Sequence, residues 1–297
     1  MFASSQTKNE LYDKYRNAIE KGNFKKAEKE LKKISDVEND NFIKLLTYGH
    51  FYSEKEELDS AKRCLELAID YFKYSPISFS DGTFKHRKDS LYNVAIGIYD
   101  FIIEKEPNGV NYCNRAIYKK DVGRYDDALI DFRKAIELDP KDYLNHYNLA
   151  LNYSKLNMAD SALTHYDLAI KFNPDYGSSY LNKGFIYLKI DSVSLAISEF
   201  ERALVMLKGT KEISYTKNNL GFCYYKLGDL IEAQLWIEES LKINPLNSYA
   251  HKNLALIYIA NQDFKAACKS INEAIELGFV DQFGDEILDM KKQYCDK

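Results

Sequence analysis

Apolar residues recur every three or four positions along most of this chain, with polar residues between them. The stretch 9–35 shows this pattern twice, with a break at Gly22 and Asn23. Such spacing places the apolar side chains on one face of an α-helix, whereas a half-buried strand needs strict alternation. The same plan returns at 42–75 and several times beyond. The pattern therefore predicts a series of amphipathic helix pairs.

An asparagine marks the same place in successive copies of a longer repeat. Asn114, Asn148 and Asn182 lie 34 residues apart, and Asn219 and Asn253 are again 34 apart after a slip of three residues. Small residues recur with the same period where the two helices of one copy would cross, and these are Ala128, Ala162, Ala196, Ala233 and Ala267. Alanine lets helix backbones approach closely, so we predict five regular units over 109–281.

Two other stretches depart from the regular repeat. The segment 76–108 keeps the repeat length, but Ser75–Thr83 contains Pro76, Gly82 and several serines, which are poor helix formers. We expect a distorted helix or a loop there, either as a decayed repeat, the interpretation we favour, or as a binding element. Residues 281–295 predict a last amphipathic helix whose apolar side carries Ile287, Leu288, Met290 and Tyr294.

Composition supports a helical protein and argues against several functions. The 297 residues include only 13 Gly and 5 Pro, few for the turns of a sheet protein, and 45% are hydrophobic, which argues against disorder. The net charge is −4, with 41 basic and 45 acidic side chains interspersed, so no nucleic-acid partner is predicted. No apolar run approaches the roughly 18 residues of a membrane span.

The repeat resembles that of tetratricopeptide-repeat (TPR) proteins. Leu220, Gly221, Tyr224, Ala233 and Pro245 stand at the spacing of the family motif. The resemblance covers about residues 8–281. Within the family, the chain is similar to exported bacterial TPR proteins. It implies an all-α, right-handed α-solenoid of antiparallel helix pairs, with about eight units and a C-terminal capping helix. The predicted divisions are 1–108, with 76–108 degenerate, then 109–281 and 282–297.

In the family the first helices line a concave groove, and the asparagine positions face it. A carboxamide offers a donor and an acceptor, so it can pair with an extended peptide backbone. The resemblance thus implies a protein or peptide partner. Lysines at the rim of the groove suit a partner segment that contains some acidic residues. Phe185 and Phe222 share this face. The alternative is that some of its aromatics pack between repeats, and these two are the first expected to do so. The candidate peptide-binding residues are Asn114, Asn148, Asn182, Asn219, Asn253, Tyr147, Tyr215, Tyr225, Tyr249, Lys155, Lys189, Lys226 and Lys252.

Motifs that carry chemistry are missing from the sequence. The five histidines are far apart, and there is no paired Cys-x-x-Cys, His-x-x-Glu-His or glycine-rich phosphate loop. We therefore predict no enzyme activity, no cofactor and no metal site.

The cysteines and the first residues bear on the cellular compartment. The tail with Cys268 and Cys295 resembles the ending of exported bacterial TPR proteins, which suggests a disulfide that holds the cap and requires an oxidising compartment. Two buried thiols in a reducing cytoplasm are the alternative. Residues 1–7 fit either the end of an incomplete export signal or the frayed start of a cytoplasmic protein. Both interpretations stay open.

The favoured function is a non-enzymatic scaffold that binds an extended peptide or loop of a partner in the concave groove. One alternative is a structural or assembly subunit of a bacterial envelope or secretion complex. Another is an antagonist that grips a folded toxin or enzyme. The sequence identifies neither the partner nor the oligomeric state.

Overall fold

The computed structural model describes residues 2–38, 41–74 and 82–296, and every regular element within these ranges is an α-helix. The helices are α1 Phe2–Glu20, α2 Phe24–Val37, α3 Asn41–Glu54, α4 Leu58–Tyr74, α5 Gly82–Lys105, α6 Gly109–Asp121, α7 Tyr125–Leu138, α8 Tyr143–Lys155, α9 Ala159–Phe172, α10 Gly177–Lys189, α11 Val193–Met206, α12 Thr210–Leu227, α13 Leu230–Ile243, α14 Ser248–Ala260, α15 Phe264–Glu276, α16 Phe279–Phe283 and α17 Glu286–Tyr294. The predicted all-helical repeat fold is confirmed.

Most helices form sequential pairs, joined by a short turn in which one residue has a positive φ. Glycine reaches this left-handed conformation without strain, and Asn and Asp tolerate it better than other residues. We call the helix before the turn the A helix and the helix after it the B helix. From the amino-terminal end, the turn residues are Gly22, Glu56, Gly123, Asn157, Asp191, Gly228 and Gln262.

The third repeat differs from the others because it has no such turn. Ser90, 34 residues after Glu56, lies inside the continuous helix α5. The distorted helix or loop expected at Ser75–Thr83 is wrong for Gly82 and Thr83, which begin α5, and residues 75–81 lie outside the described residues. Here α5 continues through the turn position as one long helix, whereas Glu56 and Gln262 adopt the left-handed turn at the same repeat position although neither is glycine or asparagine.

The chain divides into two compact units, Met1–Asn152 and Tyr153–Lys297. In the first unit, Tyr15, Leu31 and Phe51 are buried in one core cluster between α1, α2 and α3. In the second unit, Phe200 and Leu220 belong to a cluster that joins α11 to α12. Each unit therefore has a core built from consecutive helices, as expected when no helix pair can bury its apolar face alone.

Small residues allow the A and B helices to cross closely. The five recurring alanines, from Ala128 to Ala267, are fully buried. At the matching position of the A helix, two of the five repeats have a glycine, Gly184 and Gly221, and the other three have an alanine. A Cβ atom on Gly221 would lie 2.8 Å from the backbone oxygen of Ala233 and 2.4 Å from Cγ1 of Ile237. Since a backbone oxygen cannot move aside like a flexible side chain, this crossing requires glycine.

Gly221→Ala is therefore expected to lower the free energy of unfolding by about 1–3 kcal/mol, the usual cost of overpacking. This loss exceeds the roughly 1 kcal/mol that alanine gains over glycine in a helix. The matched control is Gly97→Ala on the exposed side of α5, where no atom lies within 4 Å of the added Cβ. That control is expected to stabilise the protein by about 0.5–1 kcal/mol. Urea unfolding measures both variants, and equal stabilities would contradict the packing argument.

The C-terminal cap consists of two helices. Gly284, with φ +98°, ends α16 and separates it from α17, so the prediction of a single helix over 281–295 is wrong. Ile287 is fully buried, but Leu288 is exposed and does not share its side. A disulfide joins Cys268 of α15 to Cys295 after α17, with 5.5 Å between the Cα atoms. The cap is thus covalently fixed to the last repeat.

Candidate functional site

A cavity of about 590 Å³ lies on the A-helix side of the second unit. We call it the A-helix cavity. Three successive A helices, α10, α12 and α14, form its walls together with the turn before α14 and the short helix α16. Its lining residues are Phe185, Leu188, Lys189, Tyr215, Asn218, Asn219, Phe222, Asn244, Leu246, Asn247, Ser248, Tyr249, Gln282 and Phe283. Its volume is typical of sites that enclose a ligand.

Large apolar side chains stand exposed around this cavity. Phe185 is 51% exposed, Leu246 73% and Phe283 51%. Phe222 is half-buried and stacks on Tyr225, with 6.0 Å between the ring centroids. Phe185 and Phe222 were predicted on the first-helix face, with core packing as the alternative, and the exposure of Phe185 contradicts that alternative for this residue. Several exposed apolar side chains gathered around one cavity are a mark of binding sites.

Aromatic stacking forms the end wall of the cavity. The ring of Tyr249 stacks on that of Phe279, with 5.9 Å between the ring centroids, and its centroid lies 5.1 Å from that of Phe283. Lys252 lies over the Tyr249 ring, with its Nζ 5.4 Å from the ring centroid, and the same Nζ is 3.2 Å from a carboxylate oxygen of Glu286. Burial, and secondly the charge of Glu286, raise the pKa of Tyr249. The Tyr249 hydroxyl is therefore neutral at physiological pH.

The polar residues of the wall come from α12 and from the turn before α14. Asn247 caps α14 by accepting a hydrogen bond from the Ala250 amide, and Asn244 accepts one from the Leu246 amide. Asn218 accepts a hydrogen bond from Asn253 at 3.0 Å. These bonds hold the turn and the helices in place. Asn219 is half-buried at the cavity wall.

The five asparagines of the repeat occupy different environments. In the first unit Asn114 is half-buried, and Asn148 donates to the Leu144 carbonyl at 2.9 Å. In the second unit Asn182 likewise donates to Ser178, one helical turn earlier. Asn253 is only 1% exposed, which places it inside the helix packing and not on the surface where a peptide contact was predicted. Asn219 alone among the five lines the cavity.

The predicted lysines also differ from one another. Lys226 pairs with Asp191 at 2.7 Å, and Lys252 is mostly buried beside Glu286. Lys155 is exposed. Lys189 lines the cavity, and its ammonium donates to the neutral Asn157 side chain at 2.6 Å. Lys189 therefore differs from the other predicted lysines, because it places its charge at the cavity and its contact is a neutral amide.

The remaining predicted aromatics divide between the two units. Tyr147 is half-buried on α8 in the first unit. Tyr215 lines the cavity and is 39% exposed, with Lys211 Nζ 5.8 Å from its ring centroid. Tyr225 stacks on Phe222 but does not line the cavity.

Several cavity residues lie outside the positions predicted from the sequence. Leu246, Asn247, Gln282 and Phe283 lie in the turn before α14 and in α16, outside the first-helix positions that the repeat marks. Phe279 and Phe283, four residues apart after the last repeat, were the available signal for an aromatic wall. Asn218 was missed because it directly precedes the repeating asparagine.

The two buried thiols are poor nucleophiles. Burial raises the pKa of the Cys113 and Cys223 thiols to about 12, so both are protonated at neutral pH. In the described ranges no group of three or more His, Cys, Asp or Glu side chains could hold a metal ion. None of the helices in those ranges is both long and apolar enough to cross a membrane.

Comparison with known families agrees with the helix pairs. One model of the tetratricopeptide repeat matches residues 45–73, 111–142, 145–176 and 250–277, and a second matches 214–247. Together they cover just over half of the chain, which therefore belongs to the tetratricopeptide-repeat family. The protein is thus a scaffold for protein–protein interaction, of a family that is generally non-catalytic.

Several bacterial TPR structures share the fold. YrrB, described as a TPR protein with an unusual peptide-binding site, is 21% identical, with a TM-score of 0.51 over 65% of this chain and 97% of its own. MamA from Desulfovibrio magneticus RS-1, from residue 41 onwards, is 20% identical, with a TM-score of 0.51 over 57% of this chain and 94% of its own. The pilF protein of Pseudomonas aeruginosa is 19% identical, with a TM-score of 0.50 over 64% and 93%. At these identities the likeness shows the fold alone.

One curated protein shares a short stretch of sequence. The BBSome complex member BBS4 homolog of Drosophila melanogaster is 38% identical over 66 residues, which are 22% of this chain and 14% of that protein. The matched stretch thus spans about one seventh of the relative's length.

Proposed function

We propose that the A-helix surface of the second unit binds an extended segment of a partner protein. The observation that carries the proposal is the A-helix cavity, where exposed apolar side chains from α10, α12, the turn before α14 and α16 converge. Burying such side chains against a partner is favourable by about 25 cal/mol per Å² of apolar surface removed from water. The peptide-binding site named for YrrB supports the proposal by analogy of fold.

The polar groups favour an extended segment over a helix. Asn219 stands half-buried among the apolar residues and offers both a donor and an acceptor. An extended backbone presents free N–H and C=O groups to such a carboxamide, whereas a bound helix satisfies its own. The apolar side chains around Asn219 then supply affinity while the amide contact fixes the register of the segment.

A displayed library of unstructured peptides tests the proposal. Selected peptides are expected to bind the wild-type protein and to lose about tenfold or more in affinity with the double variant Phe185→Ala, Asn219→Ala. Asn114→Ala, at the same repeat position in the first unit, is the matched control and is expected to bind normally. Selected peptides that bind the double variant as tightly as the Asn114→Ala control, or a library that yields no binders, would contradict the proposal.

A second candidate function has one observation in its favour. Val205 of α11 and Ile231 of α13 are each 77% exposed on B helices. These side chains fit the alternative of an assembly subunit that is bound through its B-helix surface. Ile231→Asp separates the two proposals, because it leaves binding of the selected peptides unchanged and weakens only a contact made by the B helices.

A further inference from the structure

We infer that the A-helix cavity selects a peptide segment in which a bulky apolar side chain is flanked by acidic residues. The inference rests on the proposed function and specifies the chemistry of its ligand. It depends on two properties of the cavity, the apolar character of its surface and the sign of its charge.

The apolar property comes from side chains that converge from separate elements. Phe185 comes from α10, Tyr215 and Phe222 from α12, Leu246 from the turn before α14, and Phe283 from α16. Half of the fourteen lining residues are aromatic or leucine. Phenylalanine and leucine side chains fill such a space well, because flat rings and branched chains bury much area with few rotatable bonds.

The charge of the cavity is positive. Its lining contains Lys189 and no aspartate or glutamate. Lys211 adds a second ammonium over the ring of Tyr215. Within the described ranges, neither lysine has a carboxylate within ion-pair distance, whereas Lys217, Lys226 and Lys252 each pair with one.

The nearby acidic residues do not cancel this charge. Asp191, two residues after Lys189, pairs with Lys226 at 2.7 Å. Glu212 is exposed beside Lys211, and Asp281 is exposed beside Gln282, but neither lines the cavity. Glu286 is held by Lys252. A carboxylate of the ligand is therefore the natural partner of Lys189, whose present partner Asn157 is neutral. Such a contact orients the ligand and contributes to selectivity more than to affinity.

Fluorescence anisotropy with defined peptides tests the inference. The probes are labelled, end-blocked Gly-Ser peptides with a central Asp-Phe-Leu-Asp, Lys-Phe-Leu-Lys or Asp-Ser-Ser-Asp. The first is expected to bind about tenfold more tightly than the second, and the third not measurably. Raising the salt concentration should reduce the difference between the first two, since exposed charges are screened.

Protein variants assign the selectivity to the cavity. Lys189→Glu is expected to reverse the preference between the acidic and basic peptides, and Phe185→Ala to weaken both. Lys265→Glu, on the exposed side of α15, is the control and should change neither. Both substituted residues at the cavity are exposed, so the variants are expected to fold, as circular dichroism would check.

The outcomes separate the inference from the proposed function. Equal binding of the acidic and basic peptides, or a Lys189→Glu variant with unchanged preference, overturns the inference and leaves the peptide-binding proposal standing. Failure of every defined peptide, while library-selected peptides bind at the cavity, overturns the inference alone. Failure of both peptide sets overturns both.

Discussion

Replacing Lys183 with leucine is expected to lower the free energy of unfolding by about 3 kcal/mol at neutral pH. The Lys183 ammonium lies 3.0 Å from Glu199 and 2.7 Å from Asp167, and the Glu199 side chain is only 8% exposed. Without Lys183 the Glu199 carboxylate remains buried with only Arg202 near it, 3.7 Å away and largely exposed. An uncompensated buried charge is among the costliest defects in a helix interface.

The repeat itself supplies the matched control. Sixty-eight residues earlier, Arg115 makes the equivalent contacts with Asp131 and Asp100. In the repeat between them, Leu149 takes the place of the lysine or arginine and His165 takes the place of the acidic residue. The His165 ring stacks on Tyr153 instead. The double variant Lys183→Leu, Glu199→His copies that uncharged solution. It is expected to recover stability to within about 1 kcal/mol of the wild-type protein, since replacing both partners removes the unpaired charge.

The pH dependence of the Lys183 contribution has a definite sign. Burial lowers the pKa of Lys183, but the hydrogen bonds and charges of Asp167 and Glu199 together outweigh burial and leave the pKa raised. The stabilisation is therefore complete below the unfolded pKa of about 10.4 and is lost as pH rises through the higher folded pKa. Urea unfolding of both variants measures these effects. A single variant as stable as the double variant at neutral pH would contradict the account.

Removing the Cys268–Cys295 disulfide is expected to destabilise the cap by about 2–4 kcal/mol. The bond closes a loop across 27 residues of sequence and joins α15 to the end of α17. Because each repeat contacts only its neighbours, the loss should be local. In the double variant Cys268→Ser, Cys295→Ser, hydrogen exchange in α16 and α17 is expected to accelerate on the order of a hundredfold, with α10 unchanged.

Reducing agent is the control for the disulfide prediction. It should reproduce the effect in the wild-type protein and have none in the double variant. Five reactive thiols in the unreduced, denatured protein, one for each cysteine, would show that the bond does not form. Since Gln282 and Phe283 of α16 line the A-helix cavity, loosening the cap is also expected to weaken peptide binding.

The helix pairs could be predicted from sequence because the repeat reports the same packing several times. Ala233 and Ala267 are buried for the same reason as Ala128, so each copy strengthens the prediction. The long helix α5 could not be predicted from periodicity. Its formation depends on whether the chain turns at Ser90, and the residue type at that position does not decide this, because Glu56 and Gln262 adopt the turn in other repeats. The division of the cap at Gly284 likewise depends on one left-handed residue.

The candidate site was predicted only where it follows the repeat. Four of the predicted residues on the A helices line the cavity, namely Lys189, Tyr215, Asn219 and Tyr249. Asn253 has the same repeat position as Asn219, yet it is buried because its amide donates to Asn218 of the preceding A helix. A repeat position fixes the helix and the side of the helix, whereas exposure depends on neighbours that differ between copies.

The most direct test of the central claim is a hydrogen-exchange footprint of the second unit with and without a library-selected peptide. The account predicts that protection increases in α10, α12, α14 and α16, whose residues line the A-helix cavity, and not in the B helices α11, α13 and α15. The triple substitution Phe185→Ala, Lys189→Glu, Asn219→Ala should abolish that protection. Protection confined to the B helices, or protection that persists in the triple variant, would contradict the claim that this cavity is where the scaffold binds its partner.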